Sequence, residues 1–249
     1  MKSLLLKLIC AALPLALLGG CGAPQKSEKQ TKTQTEEATV EDIVMEEKNE
    51  TSKVQVGEIV TFGTFDLDGK SETEKEGIPW LVLSTDGAKA LLISVKGLDS
   101  RLYNDEAIEV EWANSSLRAW LNGTFMKEAF TAEEAERITL CYSVWEDNPV
   151  YPAGSGKSVE DHLFLLSISD VESFFGGEES RTCVPSGLAV THGVYADEET
   201  GTCAWWLRNS GSAPEMASYV DVNGAINPVG DGVYCEGFAV RPAMWVDFS

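Results

Sequence analysis

The chain has 249 residues, enough for one large domain or two small ones with a core that does not depend on disulfides. Hydrophobic residues make up 43% of the chain and aromatic residues 9%, so the chain as a whole is not disordered. Its 40 acidic residues against 19 basic ones give a formal net charge of -21, which argues against binding nucleic acid or anionic lipid through a basic patch.

The first residues follow the pattern of an export signal. Lys2 and Lys7 form a basic region near the N-terminus. The apolar run over residues 8–18 is too short to span a bilayer comfortably. The segment Leu18-Gly19-Gly20-Cys21 resembles the lipobox of bacterial lipoproteins, in which the cysteine receives a diacylglycerol and becomes the mature N-terminus. We therefore predict a lipoprotein signal peptide over residues 1–20. The protein is expected to be extracytoplasmic and anchored to the cell membrane, with the lipid bilayer bound through acylated Cys21. An ordinary secretory signal is the alternative.

A polar segment follows the lipidated cysteine. Residues 22–53 contain no aromatic residue and almost no large apolar one, and Lys, Glu, Gln and Thr dominate. Such a composition cannot bury enough apolar surface to order itself. We predict a disordered linker over residues 21–53 and a single globular domain over residues 54–249. Removing residues 1–20 takes away two lysines and no acidic residue, so the mature chain carries -23 and an anionic membrane surface repels it.

The globular part begins with strand patterns. Residues 54–65 alternate apolar and polar side chains and predict one or two strands. The apolar segments 78–84 and 88–95 are joined by Thr85-Asp86-Gly87, and Asp-Gly between two such runs predicts a hairpin.

Helical patterns occupy the middle of the chain. Apolar residues recur at three- and four-residue spacings after residue 114, with Ser115 as a candidate cap and Gly123 as the expected end of the helix. Thr131 and Glu134 form a capping-box pattern that predicts a second short helix. Strands are then expected over residues 138–144 and 162–167, and a short helix over residues 170–175.

The last third predicts strands separated by long irregular segments. Strands are expected over residues 203–208, 216–222, 225–227 and 237–248, with Asn223-Gly224 as a hairpin turn. The segments without periodicity are 145–160, 176–182, 193–202, 209–215 and 228–236. The chain shows no alternation of strand and helix and no G-x-G-x-x-G motif. The predicted class is therefore α+β, with short helices in the first half and antiparallel strands and long loops in the C-terminal half.

Two segments carry a family resemblance. CAWWLRNSG at residues 203–211 and AVRPAMWVD at residues 239–247 resemble the WWLRSPG…VRPALW signature of an uncharacterised bacterial domain family that often occurs in secreted lipoproteins. The resemblance covers about residues 54–249 and implies architecture, since the family has no established activity. Asn209-Ser210-Gly211 stands where Ser-Pro-Gly is common.

More distantly, the Trp- and Gly-rich C-terminal half is similar to C-type-lectin-like folds, which include the formylglycine-generating enzymes. That similarity implies a mixed fold that binds ligands with long loops on a small twisted sheet. Copper-dependent formylglycine chemistry needs a reactive cysteine pair near the C-terminus. Only Cys235 lies there, so that activity is not supported.

The cysteines of the globular part allow disulfides in an exported protein. Four of them, Cys141, Cys183, Cys203 and Cys235, permit three pairings that sequence alone cannot choose among. We favour Cys183–Cys203, because both flank one loop. No C-x-x-C spacing exists and the chain has two histidines, so we predict no metal site and no cofactor.

Evidence for catalysis is weak. The chain has only two histidines, His162 and His192, which is few for an acid–base enzyme. We interpret His162 as structural. A Cys-His pair of Cys183 and His192 is less favoured than a structural role for both. No catalytic residue is predicted. The alternative is an exported enzyme, such as a hydrolase, that uses carboxylates such as Asp161, Asp170 or Glu172.

The binding hypothesis rests on the C-terminal half. Arg208 and Arg241 end apolar strands, where a guanidinium is usually paired with a carboxylate. The second interpretation is ligand recognition by an exposed platform of arginine and Trp206. The loops 209–215 and 228–236 supply the other candidate ligand-binding residues, Asn209, Ser210, Asp231, Tyr234 and Glu236. We therefore predict a membrane-tethered domain that binds a glycan, a cell-wall fragment or a protein. A structural surface protein is a further alternative.

Overall fold

The computed structural model of the protein describes residues 54–70, 74–152 and 156–249, all within one compact unit. The predicted signal peptide, the lipidation of Cys21 and the linker lie outside the described residues. No helix within the described ranges is both long and apolar enough to cross a bilayer.

The described residues form a mixed α+β structure in which strands predominate and curl into an antiparallel half-barrel. The strands are β1 (Ile59–Phe65), β2 (Glu76–Asp86), β3 (Lys89–Ser94), β4 (Asp99–Ser100), β5 (Ile138–Thr139), β6 (Cys141–Ser143), β7 (Val159–Asp161), β8 (Trp205–Ser210), β9 (Met216–Val220), β10 (Ile226–Gly232), β11 (Ala239–Val240) and β12 (Ala243–Asp247). The short helices are α1 (Ser116–Trp120), α2 (Met126–Ala129), α3 (Ala132–Arg137), α4 (Ile168–Phe174), α5 (Glu178–Arg181) and α6 (Gly187–Thr191).

The first sheet has the order β1-β2-β3-β12-β5 and is antiparallel throughout. Alternate side chains of β2 are buried, namely Ile78, Trp80 and Val82, as the period of a strand requires. The predicted hairpin between β2 and β3 is confirmed, and Gly87 takes the left-handed conformation in its turn with φ 58°.

The second sheet has the order β10-β9-β8-β11-β4. All its pairs are antiparallel except β8 with β11, where Ala239 pairs with Trp205 in parallel. Strands β6 and β7 form a separate antiparallel pair. The predicted turn at Asn223-Gly224 joins β9 to β10, with Gly224 at φ 84°.

Both faces of β8 are covered. Trp205 and Trp206 are consecutive and so point to opposite faces, yet both are fully buried. Nε1 of Trp205 donates to the carbonyl of Arg181 at 3.1 Å, and Nε1 of Trp206 donates to that of Arg101 at 3.0 Å. The Trp206 ring stacks on Phe238 at 3.9 Å between centroids. The second interpretation, an exposed platform that includes Trp206, therefore does not agree with its burial.

Several predicted elements end elsewhere. The helix does not stop at Gly123, because a wider π turn over Leu121–Phe125 carries the backbone from α1 into α2. Residues 138–144 divide between β5 and β6, which belong to different sheets. Residues 162–167 are largely buried, but only an isolated bridge from Phe164 to Ala243 has strand pairing there. The long strands β1, β2 and β3 also lie in the first half of the chain, and five of the six short helices of the described ranges, α2 to α6, lie in the second.

Candidate functional site

The buried carboxylate of Asp99 contacts a histidine and an arginine at the wall of a cavity. Asp99 lies in β4 and only 1% of it is exposed. Its Oδ1 lies 2.5 Å from Nδ1 of His192, and its Oδ2 accepts a hydrogen bond of 2.8 Å from Nε of Arg101. The backbone N–H of Ser100 also donates to Oδ1 at 2.8 Å. One buried carboxylate therefore holds a histidine and an arginine.

Two local structures bring these groups together. β4 pairs with β11, with Asp99 opposite Val240. Ser186 caps α6 by accepting the N–H of Ala189 at 3.0 Å, and its hydroxyl donates to the carbonyl of Leu98 at 2.8 Å. That bond fixes α6 beside β4. Because α6 has only five residues, its C-cap residue His192 lies close to Asp99.

The guanidinium of Arg101 lies over an aromatic ring. Its guanidinium carbon is 4.0 Å from the ring centroid of Trp120, and 40% of the side chain is exposed. Only Nε bonds to Asp99; within the described part of the chain, Nη1 and Nη2 donate to no protein atom. The arginine is therefore held by one edge and one face, and its outer fork is free.

An open cavity of about 380 Å³ surrounds these side chains. Its walls are Ser100, Arg101, Leu102, Asp105, Ser116, Leu117, Trp120, His192 and Glu236. Asp105 donates its backbone N–H to the hydroxyl of Ser116 at 2.9 Å, and its carboxylate and that of Glu236 are exposed. We call this the Asp99 cavity.

A second cavity of about 380 Å³ lies beside the first, since Asn104 lines one and Asp105 the other. Its walls are Asn104, Ile108, Glu109, Val110, Glu111, Asn114, Trp145, Ser210 and Pro214. Gly156 packs against the indole of Trp145, and a Cβ on Gly156 would lie 1.8 Å from Nε1. We call this the Trp145 cavity.

The structural interpretation of Arg208 agrees with its contacts. Nη1 forms an ion pair with Asp170 and donates to the carbonyl of Leu165 at 3.1 Å, and Nη2 lies 3.2 Å from Oε1 of Glu146. Asn209 is buried and accepts the N–H of Ile168 at 2.7 Å. These two side chains hold α4 and the segment at Glu146 onto β8.

Arg241 is buried without a carboxylate partner among the described residues, so the expected ion pair is absent there. Its Nε donates to the carbonyl of Ser94 at 3.0 Å and its Nη1 to that of Arg181 at 3.2 Å. The guanidinium lies 5.0 Å from the Trp205 ring and 5.6 Å from the Phe175 ring. Backbone carbonyls and aromatic faces stabilise the charge instead.

Cys183 and Cys203 lie side by side as buried free thiols. Sγ of Cys203 is 3.4 Å from the carbonyl of Cys183, and the two side chains share a hydrogen bond. The Cys203 side chain lowers the pKa of the Cys183 thiol against the effect of burial, and the Arg241 guanidinium lowers it too. The predicted disulfide between them stays a prediction.

The other two cysteines have separate environments. Burial and then Asp161 raise the pKa of the Cys141 thiol to about 11, and its Sγ donates to the carbonyl of Asp161 at 3.3 Å. Sγ of Cys235 donates to Oδ1 of Asp231 at 3.3 Å. Burial and this hydrogen bond raise the pKa of Cys235. Both thiols therefore stay protonated at neutral pH.

The predicted ligand-binding residues divide into three groups. Glu236 lines the Asp99 cavity and Ser210 lines the Trp145 cavity. Tyr234 is exposed, and Asp231 accepts the N–H of Gly232 at 2.7 Å. Of the remaining four, Trp206, Asn209 and Arg241 are buried, and Arg208 is bound by the carboxylates given above and lines a smaller cavity of about 180 Å³. The exposed platform of arginine and tryptophan is therefore not formed.

The carboxylates considered for hydrolysis do not form an open pair. Asp161 is buried and accepts hydrogen bonds from Nε1 of Trp112 at 2.9 Å and Nε of Arg118 at 2.6 Å. Asp170 is bound by Arg208, and Glu172 is exposed on α4. In the described ranges, no three His, Cys, Asp or Glu side chains are grouped so that they could hold a metal ion.

Sequence reasoning missed most of the Asp99 cavity. Asp99, Arg101 and Trp120 were not identified as functional, and His192 was considered only as a partner for Cys183. The available signal was slight: an aspartate four positions after the apolar run ends at Val95, with an arginine two positions later.

A family model described as "Domain of unknown function (DUF6273)" matches residues 80–248. This range contains every residue that lines the two cavities. No curated protein and no solved structure matches the chain.

Proposed function

The chain belongs to the DUF6273 family of domains of unknown function, and from that premise we propose that it is a membrane-tethered, extracytoplasmic domain that binds a small ligand in the Asp99 cavity. The proposed binding site lies within the residues that match the family model. The lipid anchor at Cys21 and the linker hold the domain away from the bilayer.

The observation that carries the binding proposal is the shared hold of Asp99 on Arg101 and His192. Burying a carboxylate costs free energy unless it is paired. The contacts that pair Asp99 also fix the positions of two side chains that line an open cavity. Side chains held in this way lose little freedom when a ligand arrives, which is the basis of preorganised binding. A volume of about 380 Å³ suits a small ligand.

The membrane tether is supported by the signal pattern that ends at Cys21 and by the charge of the mature chain. Two or three acyl chains bind a bilayer stably, whereas a strongly acidic domain has no affinity of its own for anionic lipid. Metabolic labelling with a fatty-acid analogue tests the tether. We expect label on the wild-type protein and none on Cys21→Ala. Equal labelling of Cys141→Ala controls for other cysteines, and unlabelled wild-type protein would contradict the proposal.

The C-type-lectin-like similarity belongs to the same proposal. It is supported by the small sheet of β8, β9 and β10 and by the irregular segments that border both cavities. An experimental structure that superposes these strands on a C-type lectin domain in the same order would support it. A different strand order would rule it out.

The binding proposal is tested with the full-length lipoprotein in detergent micelles. A library of small polar compounds is screened by thermal shift, and each hit is titrated into the wild type, Arg101→Gln and Lys96→Gln. Both substitutions remove one positive charge, but Lys96 is exposed and lines neither cavity. We expect hits whose affinity falls for Arg101→Gln alone. Hits affected equally by both variants would reflect net charge and contradict a site at Arg101.

A second candidate is carbohydrate binding in the Trp145 cavity. Within the described ranges the indole N–H of Trp145 donates to no protein atom, and Glu109 and Asn114 offer polar groups beside it. Sugars stack on aromatic faces and bond to such groups. Trp145→Ala should abolish binding of a sugar probe such as N-acetylglucosamine, while Tyr195→Ala, at an exposed tyrosine outside this cavity, should not. An unaltered affinity in Trp145→Ala excludes this site.

A further inference from the structure

We infer that the Asp99 cavity recognises a small zwitterion, a free amino acid or a short peptide, by its carboxylate and its ammonium group. This inference rests on the proposed function and names the ligand class for the same site. It follows from three features of the cavity: a free guanidinium fork, an oriented imidazole and an acidic rim.

The guanidinium of Arg101 is arranged to receive a carboxylate. Its Nε bonds to Asp99 at 2.8 Å and its carbon lies over the Trp120 ring at 4.0 Å, so the position of the group is fixed at two points. The outer N–H groups have no acceptor among the described residues. A planar fork of this kind pairs with the two oxygens of a carboxylate through parallel hydrogen bonds.

The imidazole of His192 adds a second polar atom. An ionised carboxylate can only accept hydrogen bonds, so the contact with Asp99 places a proton on Nδ1. Nε2 is then the remaining ring nitrogen, and within the described ranges it contacts no polar protein atom. It can accept an N–H or O–H from a ligand, or donate when the ring is protonated.

The acidic rim disfavours a ligand that carries only a negative charge. Asp105 and Glu236 place two exposed carboxylates on the same cavity, and the whole chain carries -21. Asp99 already offsets the charge on Arg101. A lone carboxylate would therefore meet net repulsion, whereas a ligand that also carries an ammonium group is neutral overall and can pair with the rim.

The size and the apolar wall limit the rest of the ligand. A volume of about 380 Å³ is at the low end for ligand cavities, which typically span roughly 300–1,000 Å³. Leu102 and Leu117 supply the apolar wall. A small apolar side chain, such as the methyl group of alanine, fits this lining better than a polymer does.

The test is calorimetric titration of the full-length lipoprotein in detergent micelles with L-alanine and L-alanyl-L-alanine. Acetate and methylammonium serve as probes that carry only one of the two charges. We expect at least one zwitterion to bind about tenfold or more tightly than either single-charge probe, because both ends are then paired. Arg101→Lys should lose most of this affinity, because a lysine keeps the charge but has no fork.

Glu236→Gln provides a signature that a merely structural residue would not give. It should weaken binding of the zwitterion, because the ammonium loses a partner, and strengthen binding of acetate, because a repulsive charge is gone. Lys96→Gln is the control, and it should leave the zwitterion affinity unchanged.

Two results would overturn the inference. One is acetate binding as tightly as alanine; the other is no zwitterion binding at millimolar concentrations. If a neutral sugar binds instead and Arg101→Gln abolishes it, the ligand class is wrong but the site of the proposed function stands. If no probe or library compound responds to Arg101→Gln, both fall.

Discussion

Nδ1 of His192 lies 2.5 Å from Oδ1 of Asp99, although 93 positions separate the two residues in the chain. The contact joins the end of α6 to β4 and places the imidazole on the wall of a cavity. Because the same carboxylate accepts from Arg101, the positions of both cavity side chains depend on one buried group.

Replacement of Asp99 by asparagine should therefore loosen the cavity and the fold together. An amide keeps one acceptor for His192 but turns an N–H toward Nε of Arg101, so the arginine loses its partner. We expect a loss of about 1–3 kcal/mol in the free energy of unfolding, the usual cost of a broken buried hydrogen bond to a charged group. Urea unfolding of the variant measures it.

Asp105→Asn is the matched control for that experiment, since it removes the same charge from an exposed side chain. Its free energy of unfolding should stay within about 0.5 kcal/mol of the wild type. If Asp99→Asn were equally mild, the bonds to Arg101 and His192 would contribute little to the fold.

Local features of the fold were predictable because their causes are local. Asp86-Gly87 specifies a tight turn, and Gly87 takes the left-handed conformation that the turn needs. Thr131 and Glu134 cap α3 reciprocally, as their three-residue spacing requires. Each of these signals is complete within a few residues of chain.

The candidate site was not predictable for the opposite reason. The contacts of Asp99 reach across the chain to His192, and nothing in the sequence near either residue specifies the other. The burial of both Trp205 and Trp206 likewise depends on layers that cover both faces of β8, supplied by distant segments. A strand pattern states that two faces exist, but not what covers them.

Arg208 is expected to be a major contributor to stability. Replacing it with methionine leaves the carboxylates of Asp170 and Glu146 without their cation and removes the bond to the carbonyl of Leu165. We expect a loss of about 3 kcal/mol, the lower end for a broken buried pair, since both carboxylates keep some contact with water. Urea unfolding monitored by circular dichroism checks this.

Glu146→Gln tests the weaker half of the same cluster. It removes the charge from the contact at 3.2 Å and weakens the hydrogen bond that Oε2 accepts from the Ser169 hydroxyl, and because Glu146 is part-exposed the cost should be about 1 kcal/mol or less. If Glu146→Gln cost as much as Arg208→Met, the main role of the arginine would be to neutralise Glu146 rather than to hold α4.

Glu134 predicts a pH dependence with a definite sign. Burial raises the pKa of its carboxyl, but hydrogen bonds from Thr131 and the N–H of Gly63 outweigh that effect, so the pKa lies below its ordinary value of 4.5. A depressed pKa means that the group stabilises the fold above pH 4.5. This contribution is lost as the pH falls through the lowered value.

Glu134→Gln should accordingly destabilise the protein at pH 7 by a few tenths to about 1 kcal/mol, a small figure because the side chain is largely solvated. The difference in the free energy of unfolding between Glu134→Gln and the wild type should become smaller as the pH falls below 4.5. Urea unfolding at several pH values measures both. Glu133→Gln, at an exposed position in the same helical turn, is the control, and its difference from the wild type should not change with pH. A difference that stayed constant with pH for Glu134→Gln would contradict the capping role.

The last prediction concerns the thiols of Cys183 and Cys203. In an oxidising compartment, disulfide exchange with an oxidant disulfide would link the two sulfurs and pass both hydrogens to the oxidant, which is reduced to thiols. The bond closes a loop whose ends are 20 residues apart. Such a loop stabilises the fold by about 3 kcal/mol, because it restricts the unfolded chain. Urea unfolding of the exported protein with and without a reductant should therefore differ by about that amount.

Cysteine variants identify the pair. Cys183→Ala/Cys203→Ala should unfold at the same urea concentration with and without reductant, while Cys141→Ala/Cys235→Ala should keep the sensitivity of the wild type. If the sensitivity to reductant disappears only in Cys141→Ala/Cys235→Ala, the disulfide joins Cys141 and Cys235 instead. If the wild type shows none, the buried pair stays reduced outside the cell and the predicted disulfide is wrong.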